Sequence, residues 1–179
     1  MTVTPITEDQ AIIVADWRNE SRHALRTGWT TPQQQSNFVS TNMTGSHMYW
    51  WFSKGHFNQD ACDGRGAWEG INAAGGLVNI DRRVRNAEIS LIVGPKDRGK
   101  GFGTECVEWI LNEGFQTQNL KTIYGEVYAC GAVSFWQDKV IDKYECVTRF
   151  LPNRAYWEGG YWDSMYFSID VEDYREHRK

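Results

Sequence analysis

The stretch Asn86 to Gln118 reads NAEISLIVGPKDRGKGFGTECVEWILNEGFQTQ, and its pieces gain meaning from their order. Ala87 to Val93 predicts a strand, since it is rich in β-branched residues and alternation puts Ile89, Leu91 and Val93 on one face. Gly94-Pro95-Lys96-Asp97 is a turn through which no strand runs. Arg98-Gly99-Lys100-Gly101-Phe102-Gly103-Thr104 then places three glycines in five positions and leads into a helix. In that helix Cys106, Val107, Ile110, Leu111, Gly114 and Phe115 are spaced to make one buried face. A glycine-rich turn opening a helix leaves several backbone amides unpaired and pointing the same way, which makes an anion site.

Two common phosphate loops are excluded. A dinucleotide-binding turn needs G-x-G-x-x-G, and Gly99, Gly101 and Gly103 do not have that spacing. A Walker loop closes with Gly-Lys-Ser/Thr, which is missing here.

The run Arg98-Gly99-Lys100-Gly101-Phe102-Gly103 instead resembles the pyrophosphate-binding loop of the GNAT superfamily, the acetyl-CoA-dependent N-acetyltransferases, whose pattern is Arg/Gln-x-x-Gly-x-Gly/Ala. It also follows the strand with which those enzymes hold pantetheine. The resemblance implies an α/β chain with a central mixed, mostly antiparallel twisted sheet of about seven strands, flanked by helices and splayed between its fourth and fifth strands.

Composition agrees with this. The 179 residues suit a single domain over 1–179, and 41% hydrophobic with 14% aromatic residues can bury a sizeable core. No apolar run approaches the ~20 residues of a membrane span, and the first residues lack a signal-peptide pattern. The expectation is a soluble, cytoplasmic protein without a membrane partner. A net charge of −4 argues against nucleic acid and is more at ease with a cationic substrate. Cys62, Cys106, Cys130 and Cys146 are scattered without a C-x-x-C pair, so reduced thiols are expected. His56 and Cys62 lie beside Asp60 and Asp63, but without ligand spacing, and no metal is expected.

Along the chain, Thr7-Glu8-Asp9-Gln10 caps a helix that runs to about Arg22. Its Trp17-Arg18-Asn19, with Arg22, is similar to the first helix of the GNAT branch that contains ribosomal-protein N-terminal and amino-sugar acetyltransferases. That likeness makes Trp17 and Arg18 candidate substrate-binding residues, while a helix surface with one buried tryptophan fits the same letters. A second helix starts at Thr31-Pro32 and ends near Asn42. Met48 to Phe52 is an aromatic strand and Lys54 to Gly66 a polar surface excursion. Ala67 to Ile71 and Gly76 to Asp81 predict a hairpin about Asn72-Ala73-Ala74-Gly75, and the arginines of Asp81 to Asn86 form a basic turn that is either solvated or holds an anionic part of a substrate. Lys121 to Tyr128 is a strand and Gly131 to Lys143 a helix. Glu145 to Leu151 and Tyr161 to Ile169 make a terminal hairpin, whose aromatic residues are a candidate homodimer face. Residues 170–179 read as a frayed charged tail. Gly159-Gly160-Tyr161-Trp162-Asp163 loosely resembles the segment that opens the last strand in that branch.

Acetyl transfer to an amine sets three tasks. The amides from Gly99 to Thr104, with Arg98 and Lys100 for charge, are the expected diphosphate cradle, where glycine is needed because a Cβ would fill the space of a phosphate. The resemblance makes the backbone of Ile92 and Val93 the partner of pantetheine, with an amide there also facing the tetrahedral oxyanion. An alkyl ammonium has a pKa of about 10.4 and must lose a proton before it attacks. Asn86-Ala87-Glu88-Ile89 looks like the Ala-Glu-Ile of the histone-acetyltransferase branch, which makes Glu88 the candidate catalytic base; an ordinary exposed strand glutamate is the alternative.

One departure stands out. Many members protonate the leaving thiolate with a tyrosine in an Asn-x-x-Ala-x-x-Phe-Tyr-like segment. Here the segment is Ala129-Cys130-Gly131-Ala132-Val133-Ser134-Phe135-Trp136, and the indole of Trp136 cannot act as that acid. Ser134, Tyr128 or a water takes the part, or none is needed. The expected activity is acetyl transfer from acetyl-CoA to a primary amine of a small molecule or amino sugar, by direct attack in a ternary complex. A protein N-terminus or lysine as acceptor, and a non-catalytic acyl-CoA-binding module, are the alternatives.

Overall fold

In a computed structural model, residues 1–25, 27–42, 45–58, 67–128 and 132–178 are described. The chain begins with β1 (Thr2–Pro5), α1 (Glu8–Glu20), α2 (Arg22–Leu25) and α3 (Pro32–Asn42). It continues through β2 (Met48–Asn58), β3 (Ala67–Asp81), β4 (Asn86–Val93), a 3-10 turn (Pro95–Asp97) and α4 (Phe102–Asn112). After β5 (Thr122–Tyr128) come α5 (Val133–Trp136), the hairpin β6 (Val147–Trp157) and β7 (Gly160–Asp170), and α6 (Val171–Glu176). Wider π turns extend α4 over Glu113–Thr117 and α5 over Gln137–Ile141.

The strands form one seven-stranded sheet in the order β1-β2-β3-β4-β5-β7-β6. Only β4 and β5 pair in parallel, because α4 carries the chain back between them; every other neighbour is antiparallel. Alternation along β4 divides the core. Ala87 and Ile89 are buried with the apolar face of α4, formed by Cys106, Val107, Ile110 and Leu111, and Leu91 and Val93 pack against that cluster. Ile92 faces the other way, into a smaller cluster under α1 and α3 with Val14, Val39, Tyr49 and Trp51.

The first two long helices begin at reciprocal caps. Thr7 Oγ1 accepts from the Gln10 amide at 3.4 Å while Gln10 Oε1 accepts from the Thr7 amide at 2.9 Å. Thr31 and Gln34 repeat the exchange at 3.1 and 2.8 Å ahead of α3.

The sheet corrects three expectations. Asn72-Ala73-Ala74-Gly75 is no hairpin turn: β3 runs through it unbroken, paired with β2 on one edge and β4 on the other. Its small residues mark close approach, since a Cβ on Gly75 would stand 2.6 Å from Ser90 O and 3.2 Å from Ile110 Cδ1, and one on Gly76 would stand 1.9 Å from Met48 O. The polar excursion begins later than Lys54, because β2 continues to Asn58. The terminal tail is not frayed: Val171 and Tyr174 of α6 are buried, with the Tyr174 ring 4.8 Å from Phe115 and 5.8 Å from Tyr144. The predicted helix over Gly131 to Lys143 is observed as α5 and its π turn, ending at Ile141. Cys62, Asp60 and Asp63, with Ala129 and Cys130, lie outside the described residues.

Candidate active site

β4 and β5 are paired only at Asn86 with Thr122, Ala87 with Ile123 and Glu88 with Tyr124. Both strands run on, β4 to Val93 and β5 to Tyr128, so beyond Glu88 they part and, among the described residues, the β5 side of β4 has no strand partner. Strand amides alternate between the two edges, so part of the Ile89 to Val93 backbone faces this gap. The side chains of Ile92 and Val93 belong to the two core clusters, so a ligand in the gap would meet only main-chain groups not already paired with β3 or, at Val93 O, with Arg98.

The loop after β4 is fixed from two sides. The Gly94 amide donates to Asn72 O at 3.0 Å, and Asp97 Oδ2 accepts from the Asn72 amide at 3.0 Å. Arg98 turns away from the loop's outer surface: Nη2 donates to Ser21 Oγ at 2.5 Å and Nε to Val93 O at 3.3 Å. Its guanidinium therefore locks the loop to the end of α1. Lys100 Nζ stands 3.1 Å from Asp97 Oδ1. Gly99 and Gly101 have φ of +74° and +79°, the left-handed region, and a Cβ on either would meet nothing within 4 Å. Their outer side is open, as a cradle for an anion at the start of α4 requires.

The other loop positions differ in kind. Phe102 is buried in the main core, so it offers only its backbone. Gly103 sits against protein: an added Cβ would stand 3.3 Å from the Phe135 ring and 3.4 Å from Val93 Cγ2. The Thr104 amide donates to Gly101 O at 3.1 Å, which leaves the earlier first-turn amides as the unspent ones.

Glu88 occupies the last paired position before the strands part and is half-buried. Its Oε2 accepts from Asn79 Nδ2 at 2.8 Å. Around it lie Tyr124, Tyr128 and Tyr166, whose phenols are all raised above the ordinary value, mainly by burial and further by the negative charge of Glu88. Tyr124 and Tyr166 stack at 5.4 Å. A second carboxylate, Glu126, adds to the upward push on Tyr128; it accepts from Arg154 Nε at 2.9 Å and Ser164 Oγ at 2.6 Å. Of these the sequence pointed only to Tyr128, among the candidates for the thiolate's acid, although the β5 alternation that buries Ile123 and Val127 puts Tyr124, Glu126 and Tyr128 together on the other face. Trp136, half-buried, packs on Phe135 and Phe167 at 5.3 and 5.4 Å against the edge of the core.

On the same face of β4, two residues beyond Glu88, Ser90 lies 3.2 Å from the Tyr49 hydroxyl. Both line a cavity of about 210 Å³ roofed by Arg18 of α1 and by Gln34, Gln35 and Phe38 of α3. The Trp17-Arg18-Asn19 letters separate here into distinct tasks. Trp17 stacks on Trp51 at 5.3 Å, with Cζ2 just 3.0 Å from where a Gly94 Cβ would be, so it forms a wall under the loop. Arg18 faces the cavity, and its Nε is buried without a hydrogen-bond partner. Asn19 holds both the amide and the carbonyl of Thr30, at 2.8 and 2.9 Å, and so joins α1 to the start of α3.

The basic turn is not brought to this site. Arg85 donates to Asn119 O and Oδ1 at 2.7 and 2.6 Å, beside the paired end of β4 and β5 and away from the opening. Among the described residues no group of three or more His, Cys, Asp or Glu side chains is gathered to hold a metal, and no helix is long and apolar enough to cross a membrane.

A family model described as an acetyltransferase (GNAT) domain matches residues 1–135. The chain belongs to the GNAT family. As a GNAT protein it is an acetyl-CoA-dependent N-acetyltransferase, and the opening between β4 and β5 is the family feature that the loop sequence implied. Among solved structures it is similar to a variant of the spermidine N-acetyltransferase SpeG from Vibrio cholerae, at 16% identity over 100% of both chains with a TM-score of 0.74. It is also similar to mutant forms of the spermidine/spermine N-acetyltransferase SpeG from the same organism, at 16% identity over 99% of this chain and 98% of that one with a TM-score of 0.77. A third similar structure, a dodecameric spermidine N-acetyltransferase from Vibrio cholerae, has 16% identity over 99% and 98% of the chains and a TM-score of 0.72. At this identity the likeness is one of fold. Comparison with curated protein sequences gives no match.

Proposed function

We propose that this GNAT enzyme acetylates a primary amine on a small molecule, by direct attack of the amine within a ternary complex. Acetyl-CoA supplies the activated acetyl group. The open outer side of Gly99 and Gly101 at the start of α4 supports binding of its diphosphate there, and the unpaired edge of β4 at Ile92 and Val93 supports binding of its pantetheine arm. The observation that carries the reading is the position of Glu88, at the point where β4 and β5 part and beside a cavity under α1 and α3. There Glu88 takes the proton of the incoming ammonium, directly or through a water, and Asn79 orients its carboxylate. Tyr128, at the open end of β5 and held protonated by burial, supplies the proton that the departing thiolate takes up.

A cavity of only about 210 Å³ beside α3 suits a small acceptor better than a protein chain. The similar spermidine N-acetyltransferases also act on a small amine, as their names state. In the same reading the enzyme works in the cytoplasm without a metal and assembles with copies of itself through the β6–β7 hairpin, whose Phe150, Tyr156 and Tyr161 are exposed. The test is thiol release from acetyl-CoA with a panel of small amines, peptides and proteins. Turnover of small amines is expected; CoA binding with no release for any acceptor would make the chain a binding module.

A further inference from the structure

Nearly all the polar groups around the candidate site have partners within the chain. Glu88 is held by Asn79, Glu126 by Arg154 and Ser164, Arg98 by Ser21 and Val93, and Lys100 by Asp97. Arg18 is one exception, as is the Asn72 Oδ1 beside the loop. Arg18 lines the cavity beside Tyr49 and Ser90, its Nε is buried without a hydrogen bond, and among the described residues no carboxylate pairs with it. The side chain is half-buried, so a charged guanidinium with no carboxylate beside it is offered to whatever enters, and an acceptor oxygen there gains a charge-assisted bond. Gln34 and Gln35 on the facing helix add amides that bond to oxygen, and Phe38 closes the wall.

We infer that Arg18 binds a carboxylate carried by the acceptor, so that the preferred substrate is an amino acid or a similarly compact amine bearing a carboxylate. This deepens the reading of Glu88 as the base and rests on it. Ser90 lines the cavity and Glu88 lies two residues back on the same face, a distance of roughly 7 Å along a strand. Glu88 thus adjoins the cavity that Arg18 lines, which suits a compact acceptor carrying both groups. A long uncharged or purely cationic amine would leave Arg18 unpaired. A planar guanidinium is the side chain suited to grip a carboxylate with two parallel bonds, and lysine at this position would not reproduce that fork.

The experiment uses matched acceptors, each amino acid against its amide, with the intact enzyme and its Arg18→Gln variant. Thiol release gives kcat/KM, and calorimetry gives acetyl-CoA affinity. The wild type is expected to prefer the free acid on the order of 10- to 100-fold, the range of a charge-assisted hydrogen bond, and Arg18→Gln is expected to collapse that ratio toward one. Equal use of acid and amide by the wild type would overturn the inference and leave the acetyltransferase reading intact. A ratio that survives Arg18→Gln would overturn it as well, whatever the loss in absolute rate. Turnover of no amine, with acetyl-CoA still bound, would remove the reading beneath and the inference with it.

Discussion

Glu88 and Tyr124 are the last partners across the parallel junction of β4 and β5, and beyond them the two strands part. The carboxylate thus stands at the vertex of the opening, within electrostatic reach of three phenols whose acidity it lowers further.

The base role predicts that Glu88→Gln lowers kcat/KM for a small amine by about 10²- to 10⁴-fold while acetyl-CoA binds as before. The variant's rate should also rise with pH as more amine is free. Steady-state kinetics from pH 6 to 10, with calorimetry for acetyl-CoA, checks this; unchanged kcat/KM across that range would remove Glu88 from the chemistry.

Tyr128 is predicted to matter in a different step. Tyr128→Phe should lower kcat about tenfold or more with little change in either KM, since only departure of the thiolate is affected. A burst of acetylated product, or a full rate in the variant, would show that the thiolate leaves without it.

The loop glycines should respond in two separable ways. Gly101→Val forces a branched residue into a left-handed backbone but meets open space, so it should cost about 1–2 kcal/mol of stability and abolish measurable acetyl-CoA binding. Gly103→Val should show a larger fall in Tm, because its added atoms meet Phe135 and Val93. Thermal melts beside acetyl-CoA titrations distinguish the two.

Arg98 is expected to act by holding the loop. Arg98→Ala and Ser21→Ala should each weaken acetyl-CoA binding by about tenfold, and the double variant should be little worse than Arg98→Ala alone, as for two ends of one bond. Full additivity in the double-mutant cycle would mean that Arg98 contacts the ligand itself.

Much of this was legible in the letters, for physical reasons. The strand, loop and helix of Asn86 to Gln118 are local in sequence, and the parity that sets Glu88 opposite Ile89, Leu91 and Val93 follows from the pleat. The Asn72-Ala73-Ala74-Gly75 run misled because small residues signal a turn and close packing alike, and only the nearness of Ser90 and Ile110 to Gly75 decides between them. The same holds for Tyr174, whose burial depends on Phe115 and Tyr144 far back in the chain. Arg98 was read as charge for a phosphate, yet its partner Ser21 lies on a helix that no local pattern connects to the loop.

That reversal at the terminus carries its own test. Tyr174→Ala should cost about 3 kcal/mol or more in urea unfolding, the range for removing a buried aromatic ring, and a change under 0.5 kcal/mol would mean that α6 is not docked.

One bond from the Gly94 amide to the Asn72 carbonyl and one from the Asn72 amide to the Asp97 carboxylate tie the loop after β4 to β3. With the loop so tied, the proposed binding of the diphosphate there would spend little free energy on ordering the chain. On the same proposal, discrimination among acceptors falls to the chamber under α1 and α3, and changes in selectivity should be sought by altering those helices while the loop after β4 is kept as it stands.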